Sequence, residues 1–384
     1  MITPKGFVFN GINSRVKKQA KDLGIIITEE KADAVGFFTK NEYKSESLLV
    51  CQRNIEDGLA QAIVVNSGCA NCGLGKKGEA AALKICSEVA KELKTKKSDV
   101  LIASTGSIGI PLEEQKIVSS IPRLIKGALS TKAEDFARAI MTTDKYPKVS
   151  ALKLKSGVTI LGIAKGAGMI EPNMATTLSF LLTDAKIRRS SLAKIVKSAL
   201  DLTFNRISID ADQSTNDTFL ALANGASSVD VEVSRDKRDE FIKGVFKVLH
   251  DLAYEIVENG EGATKIVKIE VKSAKSRIVA EKICRKLASS MLFKSSLYGN
   301  SANWGRILSS VGSLSLGVGK SYDINYGNIK VVKNGLSLYN NKKRADDYLK
   351  KSKEVKIVLD FKKGGDDFFM YTTDLSPDYV KLNS

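Results

Sequence analysis

The stretch Lys165–Ala185, KGAGMIEPNMATTLSFLLTDA, gathers residues that could do chemistry. Gly166 and Gly168 sit beside Lys165, followed by Glu171-Pro172-Asn173 and then Met174-Ala175-Thr176-Thr177. An apolar run, Leu178–Leu182, leads on to Thr183-Asp184. Glycine lets the backbone come close to a ligand or hold unusual angles. Pro172 fixes its own φ and turns Glu171 away from helix. The pattern predicts an ordered loop that delivers Ala175-Thr176 to the start of a buried strand. A hydroxyl residue there, after a small alanine and with a lysine nearby, is a candidate nucleophile. An ordinary loop followed by a core strand fits the same residues.

A second polar segment, Ser104-Thr105-Gly106-Ser107-Ile108-Gly109, follows the short apolar run Val100–Ala103. A Thr-Gly turn at a strand end presents a backbone N–H and a hydroxyl, the equipment of an oxyanion hole. Read alone, it is also an ordinary turn. The only histidine is His250, placed at the edge of an amphipathic helix, so a Ser-His-Asp arrangement is not expected. Gly73-x-Gly75-x-x-Gly78 matches the dinucleotide fingerprint only formally. Those glycines should follow their strand directly, and Asn66–Cys72 intervene. Cys69-x-x-Cys72 has no second cysteine pair to complete a zinc site. Asp210–Asp217, DADQSTND, lacks the glycine and glutamate spacing of a calcium loop. It reads as structural. No metal and no cofactor is expected.

The elements that must position these residues are set by periodicity. Ile25–Thr28 and Ala34–Thr39 read as strands separated by a charged turn. Ala62–Val65 reads as a buried strand ended by Asn66-Ser67-Gly68. Helices are predicted over Glu79–Leu93, Leu112–Ser120 and Ala133–Met141, and a hairpin over Ala151–Ala164 turned at Lys155-Ser156-Gly157. Ser190 is placed as the N-cap of a helix carrying Ile187, Leu192, Ile195, Val196, Ala199 and Leu200. Lys237–Glu258 is a long helix with Ile242, Val245, Phe246, Leu249, Leu252, Ala253 and Ile256 on its core face. Residues 271–384 read as a smaller α+β unit, with a core of residues 1–270 before it.

The totals set outer bounds. The 384 residues are 43% hydrophobic, enough for a sizeable core in two or three domains. No apolar run approaches the ~18 residues of a membrane span, and the first ten residues hold no apolar signal core. Five cysteines without a secretion signal read as reduced thiols in a cytoplasmic protein. Net charge is +17, but acids are interspersed among the lysines and no basic stripe carries aromatics. No nucleic acid and no membrane is expected as a partner.

The motif at Lys165–Thr177 resembles the self-cleavage motif of the ornithine acetyltransferases (glutamate N-acetyltransferases) of arginine biosynthesis. The resemblance extends over nearly the whole chain in ordered motifs: Pro4-Lys5-Gly6-Phe7, Gly36-Phe37-Phe38-Thr39-Lys40-Asn41, Asn66-Ser67-Gly68-Cys69-Ala70-Asn71, Ser104–Gly109, Thr142-Thr143-Asp144, Asp210–Asp217, Gly260–Lys265 and Asn303–Ile307. The family usually has asparagine where this chain has Cys69.

The resemblance implies that the chain cuts itself between Ala175 and Thr176 into residues 1–175 and 176–384. It implies that the new N-terminal Thr176 carries an acetyl group from N-acetylornithine to glutamate, with acetyl-CoA a further candidate donor. By the same resemblance, Thr105 and Gly106 form the oxyanion hole, and Thr143 (favoured over Thr142), Lys165, Thr176, Glu261 and Asn383 bind substrate. The family has a further ligand threonine a few residues beyond the position of Asn383, and this sequence ends at Ser384. The fold implied is α/β (α+β), an αββα sandwich like those of the DmpA and N-terminal-nucleophile enzymes, assembled as a dimer of cleaved heterodimers. Two other classes fit the same scaffold: an amidase or aminopeptidase, and a binding protein with reduced activity.

Overall fold

A computed structural model describes residues 2–130, 132–171 and 177–384. The chain forms two compact units. The first holds the described residues of Met1–Gly166, Pro172–Asn205 and Gln213–Ile256; the second holds Ala167–Glu171, Arg206–Asp212 and Val257–Ser384.

In the first unit, eight strands make one mixed sheet: β1 (Phe7–Ile12), β2 (Leu23–Phe38), β3 (Leu59–Cys69), β4 (Val100–Ser107), β5 (Lys148–Lys153), β6 (Thr159–Lys165), β7 (Leu178–Thr183) and β8 (Thr218–Ala223). Their order is β4-β3-β2-β8-β7-β6-β5, with β1 paired to β2. The pairs β3/β4 and β7/β8 are parallel. The helices are α1 (Glu46–Asn54), α2 (Lys76–Leu93), α3 (Glu114–Gly127), α4 (Ala133–Ile140), α5 (Arg189–Leu202) and α6 (Arg235–Glu258).

Strands β7 and β8 are buried at every position, the pattern of strands covered on both faces. Register explains how β6 and β7 are covered. Gly162 pairs with Leu181, and Ile163 with Phe180, so the two pairs point to opposite faces. On the first face α6 lies so close that a Cβ on Gly162 would sit 2.6 Å from Leu252 and Val248. On the other face the Phe180 ring meets Phe136 of α4 edge-on, centroids 5.3 Å apart. The hairpin predicted over Ala151–Ala164 is the β5/β6 pair.

Three local expectations are corrected. Glu29-Glu30-Lys31 does not turn the chain: β2 runs through it as one strand of 16 residues. The charged trio is exposed at an irregularity between Ile27 and Ala32, where pairing with β3 slips. A bulge therefore absorbs what the charges suggested was a turn. Helix α5 has Arg188, not Ser190, at its N-cap position, held by Glu232, which also accepts from Ser191 Oγ at 2.6 Å. On α6 the core face is Phe241, Val245, Val248, Leu249, Leu252, Ala253 and Ile256, while Ile242 and Phe246 are each 37% exposed.

The second unit is a six-stranded sheet with its own core. Its elements are β9 (Ile266–Ala274), α7 (Arg277–Ala288), α8 (Met291–Tyr298), α9 (Trp304–Gly312), β10 (Asp323–Tyr326), β11 (Ile329–Lys333), β12 (Leu336–Ser337), α10 (Lys342–Lys351), β13 (Glu354–Asp360), β14 (Asp366–Thr373) and α11 (Pro377–Leu382). The strand order is β12-β11-β10-β13-β9-β14. Val267, Ile269 and Val271 alternate into a core shared with Ile283, Leu287 and Leu359. Ser276 and Ser290 cap α7 and α8 by accepting from Val279 N and Phe293 N. The expected division at 270/271 falls inside β9, one continuous strand of this sheet, and the unit's long continuous stretch runs from Val257.

Both units mix helices with sheet, the α/β class expected. Among the described residues no helix is long and apolar enough to cross a membrane.

Candidate active site

The parallel ends of β3 and β4 carry the first group of residues. The sequence suggested that Asn66-Ser67-Gly68 ends one strand and that Thr105-Gly106 forms a turn after another. Both segments instead stay in the ladder, Ser67 opposite Thr105 and Gly68 opposite Gly106. The ladder distorts at Cys69, which faces both Thr105 and Ser107. Gly106 has φ 126°, and a Cβ there would lie 2.3 Å from the Gly68 carbonyl carbon. Only glycine meets both demands. The Cys69 thiol donates to Ile110 O at 3.0 Å, and Asn71 N donates to its sulfur at 3.4 Å. Burial pushes its pKa up, so this thiol is a structural tie rather than a reactive group.

A buried amide–hydroxyl network stiffens this edge. Ser104 Oγ donates to Asn66 Oδ1 at 2.6 Å and lies 2.7 Å from Ser47 Oγ, to which Asn71 Nδ2 donates at 2.8 Å. Asn216 Nδ2 donates to Ala70 O at 2.6 Å and to Ser104 O at 2.8 Å.

Lys165, the last residue of β6, donates from Nζ to Thr105 Oγ1 at 3.1 Å. Thr105 is buried. With a cation donating to its oxygen, its own O–H remains available to donate elsewhere. Next to Lys165 lies the Thr142–Asp144 turn. The Asp144 carboxylate accepts from Gly166 N at 2.8 Å, Thr142 N at 3.1 Å and the Lys148 ammonium at 2.5 Å. Burial would raise the Asp144 pKa, but the Lys165 and Lys148 charges and these hydrogen bonds outweigh it and hold it at about 2. The carboxylate is therefore ionised, paired directly with Lys148 and within electrostatic reach of Lys165. Of the two candidate threonines, Thr142 is half-buried and Thr143 is exposed.

Lys17 joins this group, donating to Ser67 Oγ at 2.7 Å and Met141 O at 2.6 Å. Burial lowers its pKa, with Asp22 opposing and Lys165 adding to the shift. No sequence pattern marked Lys17.

The start of β7 carries the next group. Thr177 O accepts from Thr218 N at 3.0 Å, and Leu178 pairs with Lys165 across β6 and with Thr218 across β8. The buried Asp217 therefore comes beside this strand end. Its pKa is raised well above the usual carboxylate range by burial, with Lys165 opposing. Its Oδ2 has no hydrogen-bond partner among the described residues. The signal for it in sequence was an acid directly before an apolar strand. The expected cleavage pair Ala175 and Thr176 lies outside the described residues.

In the second unit, Glu261 and Asn383 come together. Asn383 Nδ2 donates to Glu261 Oε2 at 2.8 Å and to Tyr379 O at 2.9 Å. Glu261 is buried, its N donates to Ala167 O at 2.8 Å, and a Cβ on Gly168 would sit 2.4 Å from its carboxylate. The glycine leaves the space the carboxylate occupies. A buried carboxylate with one amide partner suits an ammonium ligand.

His250 stands between Phe246 and Tyr254 on α6. All five cysteines are free and buried. Among the described residues no group of three or more His, Cys, Asp or Glu side chains could hold a metal.

A family profile described as the ArgJ family matches residues 8–384. The chain is 39% identical over 386 residues to the arginine biosynthesis bifunctional protein ArgJ of Desulfotalea psychrophila, covering 99% of this chain and 98% of that protein. It is 38% identical over 394 residues to the protein of the same name from Thermotoga neapolitana, covering 100% and 99%. Among solved structures, it resembles ornithine acetyltransferase from Mycobacterium tuberculosis complexed with ornithine, with 32% identity, a TM-score of 0.43, and 45% of this chain and 94% of that chain covered.

Proposed function

Because this chain belongs to the ArgJ family and is an acyltransferase of arginine biosynthesis, we propose that it cuts itself at Ala175–Thr176 and then transfers acetyl from N-acetylornithine to glutamate through Thr176. The observation that carries the reading is the 3.1 Å contact of Lys165 with Thr105, together with the pairing of Lys165 to Leu178, two residues after Thr176.

In the first step, Thr176 Oγ attacks the Ala175 carbonyl carbon. The C–N bond breaks as an ester forms, and the proton leaving the hydroxyl ends on the new α-amine. Water then hydrolyses the ester, leaving an Ala175 carboxylate and a free Thr176. An α-amine has an ordinary pKa of ~8, so it can serve as its own hydroxyl's base. In transfer, Thr176 Oγ attacks the acetyl carbonyl, ornithine leaves with the proton, and glutamate's amine takes the acetyl group from the ester. Both oxyanions would be met by the Thr105 hydroxyl and the Gly106 N–H. Lys165 takes the α-carboxylate common to both substrates, the Thr142–Thr143 turn contributes a hydroxyl, Glu261 takes the distal ammonium of the donor, and Asn383 orients Glu261. Acetyl-CoA is a second candidate donor. The fragments stay associated as a dimer of heterodimers in the cytoplasm.

The test is intact mass under denaturing conditions, paired with an acetyl-transfer assay. Wild-type protein is expected as two fragments, 1–175 and 176–384, that acetylate glutamate. Thr176→Ala is expected as one chain without transfer. A Thr176→Ala protein that is still cut, or that still transfers acetyl, overturns the proposal. Deacetylation that proceeds equally fast without glutamate would make water the acceptor and the protein a hydrolase.

A further inference from the structure

The short segment Ala167–Glu171, directly before the motif Pro172–Thr176, is held by one strap of chain in the second unit. Met169 is a non-glycine residue at φ 56°, a conformation that persists only where its surroundings hold it. The Asp210 carboxylate imposes it. It accepts from Met169 N at 2.6 Å on one oxygen and from Ile170 N at 2.7 Å on the other. Ile209 N donates to Ile170 O at 2.8 Å, and Ser208 Oγ donates to Glu171 Oε2 at 2.5 Å. Three consecutive residues, 169 to 171, are thus bound by three consecutive residues, 208 to 210.

The strap is itself braced. The buried ammonium of Lys294 donates to Ile209 O. Tyr379 O–H reaches Asp210 at 3.5 Å, and Arg285 reaches Glu171 at 3.4 Å. At the other end of the segment, Glu261 N holds Ala167 O. Hydrogen bonds from backbone N–H groups to a carboxylate are charge-assisted and stronger than neutral ones.

We propose that Asp210 is a positioning residue for self-cleavage: by gripping the Met169 and Ile170 N–H groups it fixes the chain on the amino side of the Ala175–Thr176 bond. This rests on the self-cleavage reading above. A hydroxyl attacking the preceding carbonyl gains rate when the peptide is held close to its reacting geometry. Glu171, the last clamped residue, stands four residues before Ala175. Once the bond is cut, the clamp has no scissile bond left to position, and residues 169–171 are not among those assigned to acetyl transfer, so transfer is expected to proceed without it.

The experiment is full-length protein made by cell-free translation, sampled over time on denaturing gels. Asp210→Asn, which removes the charge and turns an NH2 donor toward one of the two N–H groups, is expected to cut about 10-fold more slowly or worse. Asp210→Glu, which keeps the carboxylate, is expected to recover part of the rate. Fully cut Asp210→Asn protein is expected to transfer acetyl with kcat and KM within about twofold of wild type, because the clamp acts before the cut. Asp210→Asn cutting at the wild-type rate overturns the proposal. So does a fall in kcat as large as the fall in cutting rate, which would mark a merely structural residue. If Asp210→Asn does not accumulate folded, Ser208→Ala carries the test: slower cutting supports the clamp and wild-type cutting refutes it. Wild-type protein that is never cut refutes the self-cleavage reading itself, a result distinct from any of these.

Discussion

The Thr105 hydroxyl is the residue on which both proposed half-reactions converge. Its oxygen accepts from Lys165 Nζ at 3.1 Å, and the residue is buried. If its O–H meets the developing oxyanion, losing it should cost what a single oxyanion donor costs elsewhere. Thr105→Val, which keeps the shape and removes the hydroxyl, is expected to lower kcat for acetyl transfer by about 100-fold or more, with a smaller change in KM. Self-cleavage should slow in parallel. Thr105→Ser, which restores the hydroxyl, should stay within about tenfold of wild type. Steady-state kinetics of the three proteins decide the point. If Val and Ser behave alike, the hydroxyl only props Lys165. The motifs drew attention to Thr105, Gly106 and Lys165, and the fold brings Lys165 Nζ to Thr105 Oγ1. Lys17 was not legible. It meets Ser67 and Met141 from a distant part of the chain, and a lysine in a lysine-rich sequence carries no local mark.

At the scale of elements, the candidate site depends on strand ends being locked in register. Asn216, just before β8, donates to Ala70 O and Ser104 O, carbonyls flanking the distorted β3/β4 ladder. It ties three segments that no local propensity would bring together. Asn216→Ala leaves two buried carbonyls without that donor, and should cost roughly 2–4 kcal/mol. Urea denaturation of the change in a Thr176→Ala background, where one uncut chain is expected, would read this; a loss under about 1 kcal/mol would mean that water or the backbone replaces the amide. The elements that were legible are those whose pattern is local. The continuous apolar run Leu178–Leu182 gave β7, and Lys155-Ser156-Gly157 gave the β5/β6 hairpin, while β8 was not read from the sequence. What failed was decided by partners. The charged Glu29–Lys31 reads as a turn because its residues prefer water, yet an exposed bulge satisfies that preference without ending the strand. Ile242 and Phe246 read as core because they are apolar, but the face of α6 that meets the sheet is the one carrying Gly244, Val248 and Leu252. The partners of Asp210 are backbone N–H groups some forty residues earlier, which no side-chain motif can announce.

For the whole molecule, the feature with a functional consequence is charge. The chain carries a net charge of +17, a number that by itself dictates nothing about the fold. A strongly positive protein raises the local concentration of anions at its surface, and salt removes the effect as the Debye length shrinks from about 30 Å at 0.01 M to about 8 Å at 0.15 M. The two proposed substrates differ in how they feel this field. Glutamate carries one net negative charge near neutral pH, whereas N-acetylornithine pairs one carboxylate with one distal ammonium and has none. The proposed ion pairs, Lys165 with the carboxylate of either substrate and Glu261 with the donor's ammonium, act at short range and would be screened much less than the long-range field. Raising salt from about 0.01 M to 0.2 M should therefore lower kcat/KM for glutamate several-fold while moving that for N-acetylornithine by less than about twofold. The measurement is a pair of initial-rate series at fixed pH, with each substrate varied against saturating partner. Equal sensitivity of both would assign the salt effect to the site lysines. No sensitivity in either would mean that acids interspersed among the lysines flatten the field where substrate enters, as the absence of a basic stripe in the sequence already allows.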